Sequence, residues 1–301
     1  MGLKCTLPAI VAASMLALPA AASAEQEPFW ESKPLSYWVT ALSAQDPQRR
    51  VLAASSLAGL AIAQGGSAVA SAVPGLLPNL ADSLADVRES AAHALEQIGA
   101  PAARPAVAAL LGLMNTDTVP QVRRRAALAL GRIDPTGEDV ITAAARTLSD
   151  DQDMSVRVSA AVLLMASGRS AGRVSNVLSA ALTDDSHAVR LYSAAALVKT
   201  PEGHSAFPRL LDVLQDDDAA LRAEAVGLLV DAGRGREEVM PALVRALGDP
   251  DAEVRGAAAD ALGSLGKPAR TVLPALWPLL RDPDETVRDR AVRAVRAIRR
   301  G

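Results

Sequence analysis

Small and branched apolar residues return at a fixed phase along this chain, and an arginine marks that phase. Arg50, Arg88, Arg123, Arg157, Arg190, Arg222, Arg255 and Arg288 follow one another at spacings of 38, 35, 34, 33, 32, 33 and 33 residues. The position before the arginine reads Arg49, Val87, Val122, Val156, Val189, Leu221, Val254 and Val287. Three places after it stand Ala53, Ala91, Ala126, Ala160, Ser193, Ala225, Ala258 and Ala291. Seven places after it each unit has a leucine, except the last, which has Val295. Positions −1, +3, +7 and +10 share one face at 3.6 residues per turn, which predicts an amphipathic helix in every unit. The small residue at +3 lets neighbouring helices approach closely. Asp46, Asp153, Ser186, Asp218, Asp251 and Asp284 lie four residues ahead of their arginines, where they can cap that helix.

A second helix is expected ahead of each arginine-bearing one. Its last turn carries Leu80, Leu182, Leu214, Leu247 and Leu280, with Pro74, Pro208, Pro241 and Pro274 six residues earlier. Prolines inside a helix would remove a backbone bond and bend it, adding curvature along the stack. Between the two helices runs a polar column: Asp82, Asp117, Asp151, Asp184, Asp216, Asp249 and Asp282, each six residues before its arginine. A carboxylate just past a helix end opposes the dipole and needs donors. Turn amides and the arginine fork are the candidates, giving a ladder of charge-assisted hydrogen bonds. The plainer alternative is that these aspartates only shape the turns. Both readings are structural.

The pattern Leu247-x-Asp249-Pro250-Asp251-x-x-Val254-Arg255-x-x-Ala258-x-x-x-Leu262-Gly263 recurs from Leu280 onward. It resembles HEAT repeats, and most of all the short subgroup named after the phycobilisome lyases. The resemblance runs over about residues 35–301. It implies an all-α solenoid of about eight helical hairpins, in which the aspartate and arginine columns form an internal ladder and the second helices line the concave side. Unit one departs from the pattern, with Arg49 for the valine and Ala44 for the aspartate. A single hairpin cannot bury its own apolar face, so such units are stable only when stacked.

Composition narrows the function. Half the residues are hydrophobic and 2% are aromatic; the net charge of −3 gives no footprint for nucleic acid. Residues 1–24 read as a secretory signal: Lys4, an apolar run from Leu7 to Leu18, then Ala22-Ser23-Ala24 as a cleavage site. Cleavage after Ala24 removes Cys5, the single cysteine, and with it disulfide and thiolate chemistry. The chain is then expected outside the cytoplasm, secreted or periplasmic, without stable membrane insertion. Residues 25–34 form a lead or cap segment, and residues 35–301 the array.

No catalytic, cofactor or metal residues are expected. Iron-binding deoxyhypusine hydroxylases resemble this fold and use His-Glu pairs. Here His93, His187 and His204 are followed by alanine, alanine and serine, and no two share helical spacing. The expected function is a scaffold for an unidentified protein partner. The alternative is a lyase-like enzyme for a small molecule or chromophore. Partner contacts are expected on the stripe of the arginine-bearing helices, the later member of each hairpin, that faces away from the apolar column: Glu89, His93, Arg124, Arg125, Arg132, Tyr192, Lys199, Glu224 and Asp231. Leu191 and Ala195 belong to the same stripe. Phe29, Trp30, Tyr37 and Trp38 are four of only seven aromatics. They are expected to cover the open edge of unit one, as Trp277 does in the last unit. The arginines of the C-terminal helix read as a solvated cap rather than a nucleic-acid patch.

Overall fold

The structure, a computed structural model, describes residues 27–300 other than 202, 204–205 and 233–236. A two-residue antiparallel ribbon, β1 (Phe29–Trp30) and β2 (Lys33–Pro34), leads into the array. Beyond it the described residues are helical hairpins joined by turns. The arginine-bearing helices are α2 (Pro47–Gln64), α4 (Ala85–Ile98), α6 (Pro120–Ile133), α8 (Met154–Ala166), α10 (His187–Val198), α12 (Ala219–Ala232), α14 (Ala252–Leu265) and α16 (Glu285–Arg300). The preceding members are α1 (Leu35–Ala41), α3 (Val73–Asn79), α5 (Val107–Thr116), α7 (Glu138–Asp150), α9 (Ser175–Ala180), α11 (Phe207–Asp212), α13 (Val239–Ala246) and α15 (Leu273–Leu276). Eight hairpins result, and the protein is an all-α solenoid.

Each arginine-bearing helix forms because its apolar positions recur on one side, and in all but α4 and α6 a side chain caps its first turn. Asp153 accepts hydrogen bonds from the amides of Ser155 and Val156, and Asp251 from those of Glu253 and Val254. Asp46, Ser186, Asp218 and Asp284 serve their helices in the same way. Gly99 and Gly266 end α4 and α14 at positive φ, 66° and 63°, where a side chain would be strained.

The small residue at +3, Ser193 in unit five and alanine elsewhere, is fully buried in every unit, and so is the leucine at +7 in the first seven. Successive arginine-bearing helices pack directly on one another, from α2 on α4 to α14 on α16. That close-set layer needs small residues. A Cβ on Gly263 would come within 2.9 Å of the Ala294 Cα, so the backbones of α14 and α16 touch there.

The preceding helices differ from expectation. Most are short, and several open or close in a 3₁₀ turn, as at Gly66–Ala72 before α3 and Pro278–Arg281 after α15. The recurrent prolines do not bend them. Pro74, Pro208 and Pro274 sit at the first or second position of α3, α11 and α15, and Pro241 is the third residue of α13. The amide a proline lacks has no intrahelical partner in a first turn, so these prolines start helices at no cost. The apolar column of that layer is unevenly covered, with Leu182 and Leu214 half-buried. Leu80 and Leu247 are buried, whereas Leu280 is exposed.

Candidate functional site

The polar column lies where the two helices of each hairpin meet, and its geometry links one unit to the next. In Arg88 the Nε donates to Asp117 Oδ2 at 2.7 Å and an Nη2 to Oδ1 at 2.9 Å, a bidentate fork across 29 residues of sequence. Arg123 holds Asp151 at 2.7 and 2.8 Å, and Arg157 holds Asp184 at 2.9 and 3.1 Å. Arg222 with Asp249 and Arg255 with Asp282 repeat the fork at 2.8 to 2.9 Å. Arg50 reaches Asp82 through one nitrogen at 2.8 Å, leaving its buried Nε without a partner.

Each arginine also turns an Nη1 back to the carbonyl of its own unit's column residue, from Arg88 on Asp82 O to Arg288 on Asp282 O. Each aspartate, in turn, accepts the amide two residues on, as Asp117 does from Val119. One rung therefore joins two turns and two units.

Electrostatics follow from this geometry. Burial alone would raise the carboxyls of Asp117, Asp151 and Asp184. The arginine forks and the turn amides outweigh it, so all three titrate below the ordinary aspartate range. Hydrogen bonding from Arg222 and Arg255 leads in lowering Asp249 and Asp282.

The ladder is not continuous. Asp216 is taken by His187 Nδ1 rather than by Arg190. Arg190 keeps its bonds to the carbonyls of Asp184 and Asp185 and has no carboxylate among the described residues. Sequence reasoning missed this substitution, although the histidine three residues before Arg190 was its only sign. Arg288 likewise bonds the carbonyls of Asp282 and Pro283 and meets no carboxylate among the described residues.

The expected contact stripe is largely occupied within the protein. Arg125 Nη1 lies 3.1 Å from Glu96 Oε2, and both Arg124 and Arg125 approach Glu89, at 3.7 and 3.8 Å. His93 Nδ1 stands 3.5 Å from Glu96 Oε2, too far for a well-made hydrogen bond. Burial disfavours the charged form of Glu96, and its two basic neighbours more than offset that, so it too titrates low. This cluster bridges α4 and α6. Tyr192 is half-buried, and burial with the nearby Glu224 carboxylate pushes its hydroxyl up to about 12. Leu191 and Ala195, expected on the stripe, are fully buried; neighbouring helices close over unit five. Lys199 is half-buried, while Arg132, Glu224 and Asp231 are exposed.

The aromatics divide. Trp38 is buried and its indole donates to Trp30 O at 3.3 Å. Trp30 lies over Gly59, whose added Cβ would stand 2.6 Å from the ring. These two cover the first unit. Phe29 and Tyr37 stay exposed, and Leu52 and Ile62 of α2 are exposed as well. An open cleft of about 750 Å³ lies between α1 and α2, lined by Tyr37, Trp38, Ala41, Ala44, Arg49 and Leu52 among others. Trp277 does not pack into the last unit; more than half of it faces solvent.

No helix among the described residues is long and apolar enough to cross a membrane. Among those residues no group of three or more His, Cys, Asp or Glu side chains is placed to hold a metal ion. Residues 1–24 and His204 lie outside the described residues.

Hairpins stacked through internal rungs define an α-solenoid of the HEAT type. The family model for HEAT repeats matches residues 35–131, 73–166 and 207–296, and the chain belongs to that family. A comparison with curated proteins gives no match. Among solved structures, the complex of CpcE and CpcF of phycocyanin lyase from Nostoc sp. is similar in fold. Its TM-score is 0.59 at 18% identity, over 97% of this chain and 99% of that one. A homology model of the AP-3 complex gives 0.57 at 17% identity, over 88% of this chain and 50% of that one. An engineered protein gives 0.50 at 24% identity, over 88% and 78%. Two of these three relatives are named as complexes.

Proposed function

We propose that this protein is an exported, non-catalytic scaffold that binds or assembles other proteins. The supporting observation is how its side chains are used. The charged columns are bonded inside the array, while Tyr37 and Leu52 stay exposed on one cleft of its first unit. Every aspartate and glutamate with a resolved displacement is moved down, by arginine or histidine partners in the rungs and at Glu96 and by helix-start hydroxyls and amides at Asp153 and Asp284. A general acid working near neutrality needs the opposite. Exposed Arg132, Glu224 and Asp231 offer further contacts along the arginine-bearing layer.

Cross-linking in the native compartment, followed by identification of what is captured, tests the scaffold. A stoichiometric protein partner is expected. Specific uptake of a small chromophore by the purified chain would instead favour a lyase-like enzyme, a reading supported by the fold shared with the phycocyanin lyase subunits. Export rests on the lysine, apolar run and Ala-Ser-Ala of residues 1–24. N-terminal sequencing of the protein from its native source should begin at Glu25; an intact leader on cytoplasmic protein would overturn export.

A further inference from the structure

Unit one departs from the repeat at two positions, and both departures line the same cleft. Seven units carry aspartate six residues before the arginine, whereas unit one has Ala44. Seven carry valine or leucine just before it, whereas unit one has Arg49. In the other units the first position closes a turn, and the second is buried in all but unit six, where Leu221 is half-buried. In unit one Ala44 and Arg49 face the open space between α1 and α2 together with Tyr37, Trp38, Ala41 and Leu52.

A unit that only ended the array would need a polar outer face. The last unit has one on α16, where Asp289, Arg293 and Arg296 are exposed, while Trp277 and Leu280 are exposed on its preceding segment. Unit one instead leaves Leu52 and Tyr37 about half exposed. Arg49 is the one charged residue lining the cleft, and among the described residues no carboxylate pairs with it. Its charge, unpaired among the described residues, therefore stands on a wall where Tyr37, Ala41 and Leu52 alternate with the hydroxyls of Ser36, Thr40 and Ser43.

Deepening the scaffold reading, on which it rests, we propose that this cleft receives an amphipathic, acidic segment of a partner protein. Apolar side chains of the segment pack against Leu52, Tyr37 and Ala41. A carboxylate of the segment pairs with the Arg49 fork, the planar geometry that guanidinium favours. Charge complementarity selects this occupant over a basic segment.

Two fluorescein-labelled 12-residue peptides test the idea on the full chain by anisotropy. Both carry leucines at positions 2, 5 and 9; one has glutamate and the other lysine at its polar positions. The glutamate peptide is expected to bind at least tenfold more tightly. Arg49→Glu should reverse that preference, Arg49→Ala should weaken the glutamate peptide about tenfold, and Leu52→Asp should abolish both, with helicity retained by circular dichroism. Equal binding of the two peptides, or binding unaffected by Arg49→Glu, overturns the proposal. So does wild-type protein that dimerises through Leu52, because a second copy then fills the cleft. A stoichiometric partner still captured by the Arg49→Glu, Leu52→Asp double variant removes the cleft but leaves the scaffold standing. Absence of any stoichiometric partner removes the scaffold itself.

Discussion

Arg123 and Arg190 hold the same place in their hairpins, yet one closes a rung and the other does not. Arg123 grips Asp151 with two nitrogens and a carbonyl of its own turn with a third. Arg190 makes only the contact to its own turn, because His187 at the start of α10 has taken Asp216. A fork delivers two parallel charge-assisted bonds, whereas an imidazole delivers one and carries charge only when protonated. The contact between units five and six is thus the weakest link of the ladder. Because a solenoid's stability is a sum of unit and neighbour contributions, one weak link sets where the array opens first.

Acid should act most strongly on the intact rungs. Asp117, Asp151, Asp184, Asp249 and Asp282 are held below the ordinary range in the folded protein. Such groups stabilise the fold fully above the unfolded aspartate value of about 3.9, and that contribution fades as the pH falls through their folded values. Thermal melts followed by circular dichroism should show Tm steady from pH 7 to about 5 and falling steeply below about 4.

Single substitutions sharpen the contrast. Asp151→Ala strips a largely buried guanidinium of its partner and removes the turn bond to Asp153, at a cost of about 3 kcal/mol in urea unfolding. Asp151→Asn keeps an oxygen for the turn amide and should cost less. Asp216→Ala, lacking an arginine fork to orphan, should cost about 1 kcal/mol. Hydrogen exchange should find amides of α10 and α12 exchanging faster than those of α6 and α8. Equal protection across both pairs would mean that the missing fork does not matter. The smallest effect belongs to Arg288→Ala, below about 0.5 kcal/mol, since its outer nitrogens meet no carboxylate among the described residues.

The two ends teach a related lesson. The C-terminal end closes with charged residues; Arg290 spans Gly256 and pairs with Glu253 at 2.9 Å. At the N-terminal end two tryptophans cover part of an apolar face, and Leu52 and Ile62 remain open. The aromatic cluster was visible in the sequence as an outlier. Its division into buried Trp38 and exposed Tyr37 was not, since adjacent residues on a helix point about 100° apart and only packing decides which side is covered.

What the amino-acid order determined by itself was everything that acts within a few residues. The helical phase, the caps at Asp153 and Asp251, and the buried alanine column depend on spacings of two to seven residues, fixed by helix geometry. The tertiary structure alone decided which partners meet across units. Each forked rung spans 27 to 29 residues, and its fork points to the next unit's aspartate rather than its own. It likewise gave Asp216 to His187, placed Ala44 and Arg49 on one cleft, buried Leu191, and turned the prolines from expected bends into helix starts. The physical reason is that a repeat specifies its own helices locally, but the offset between stacked neighbours arises only when their side chains interlock.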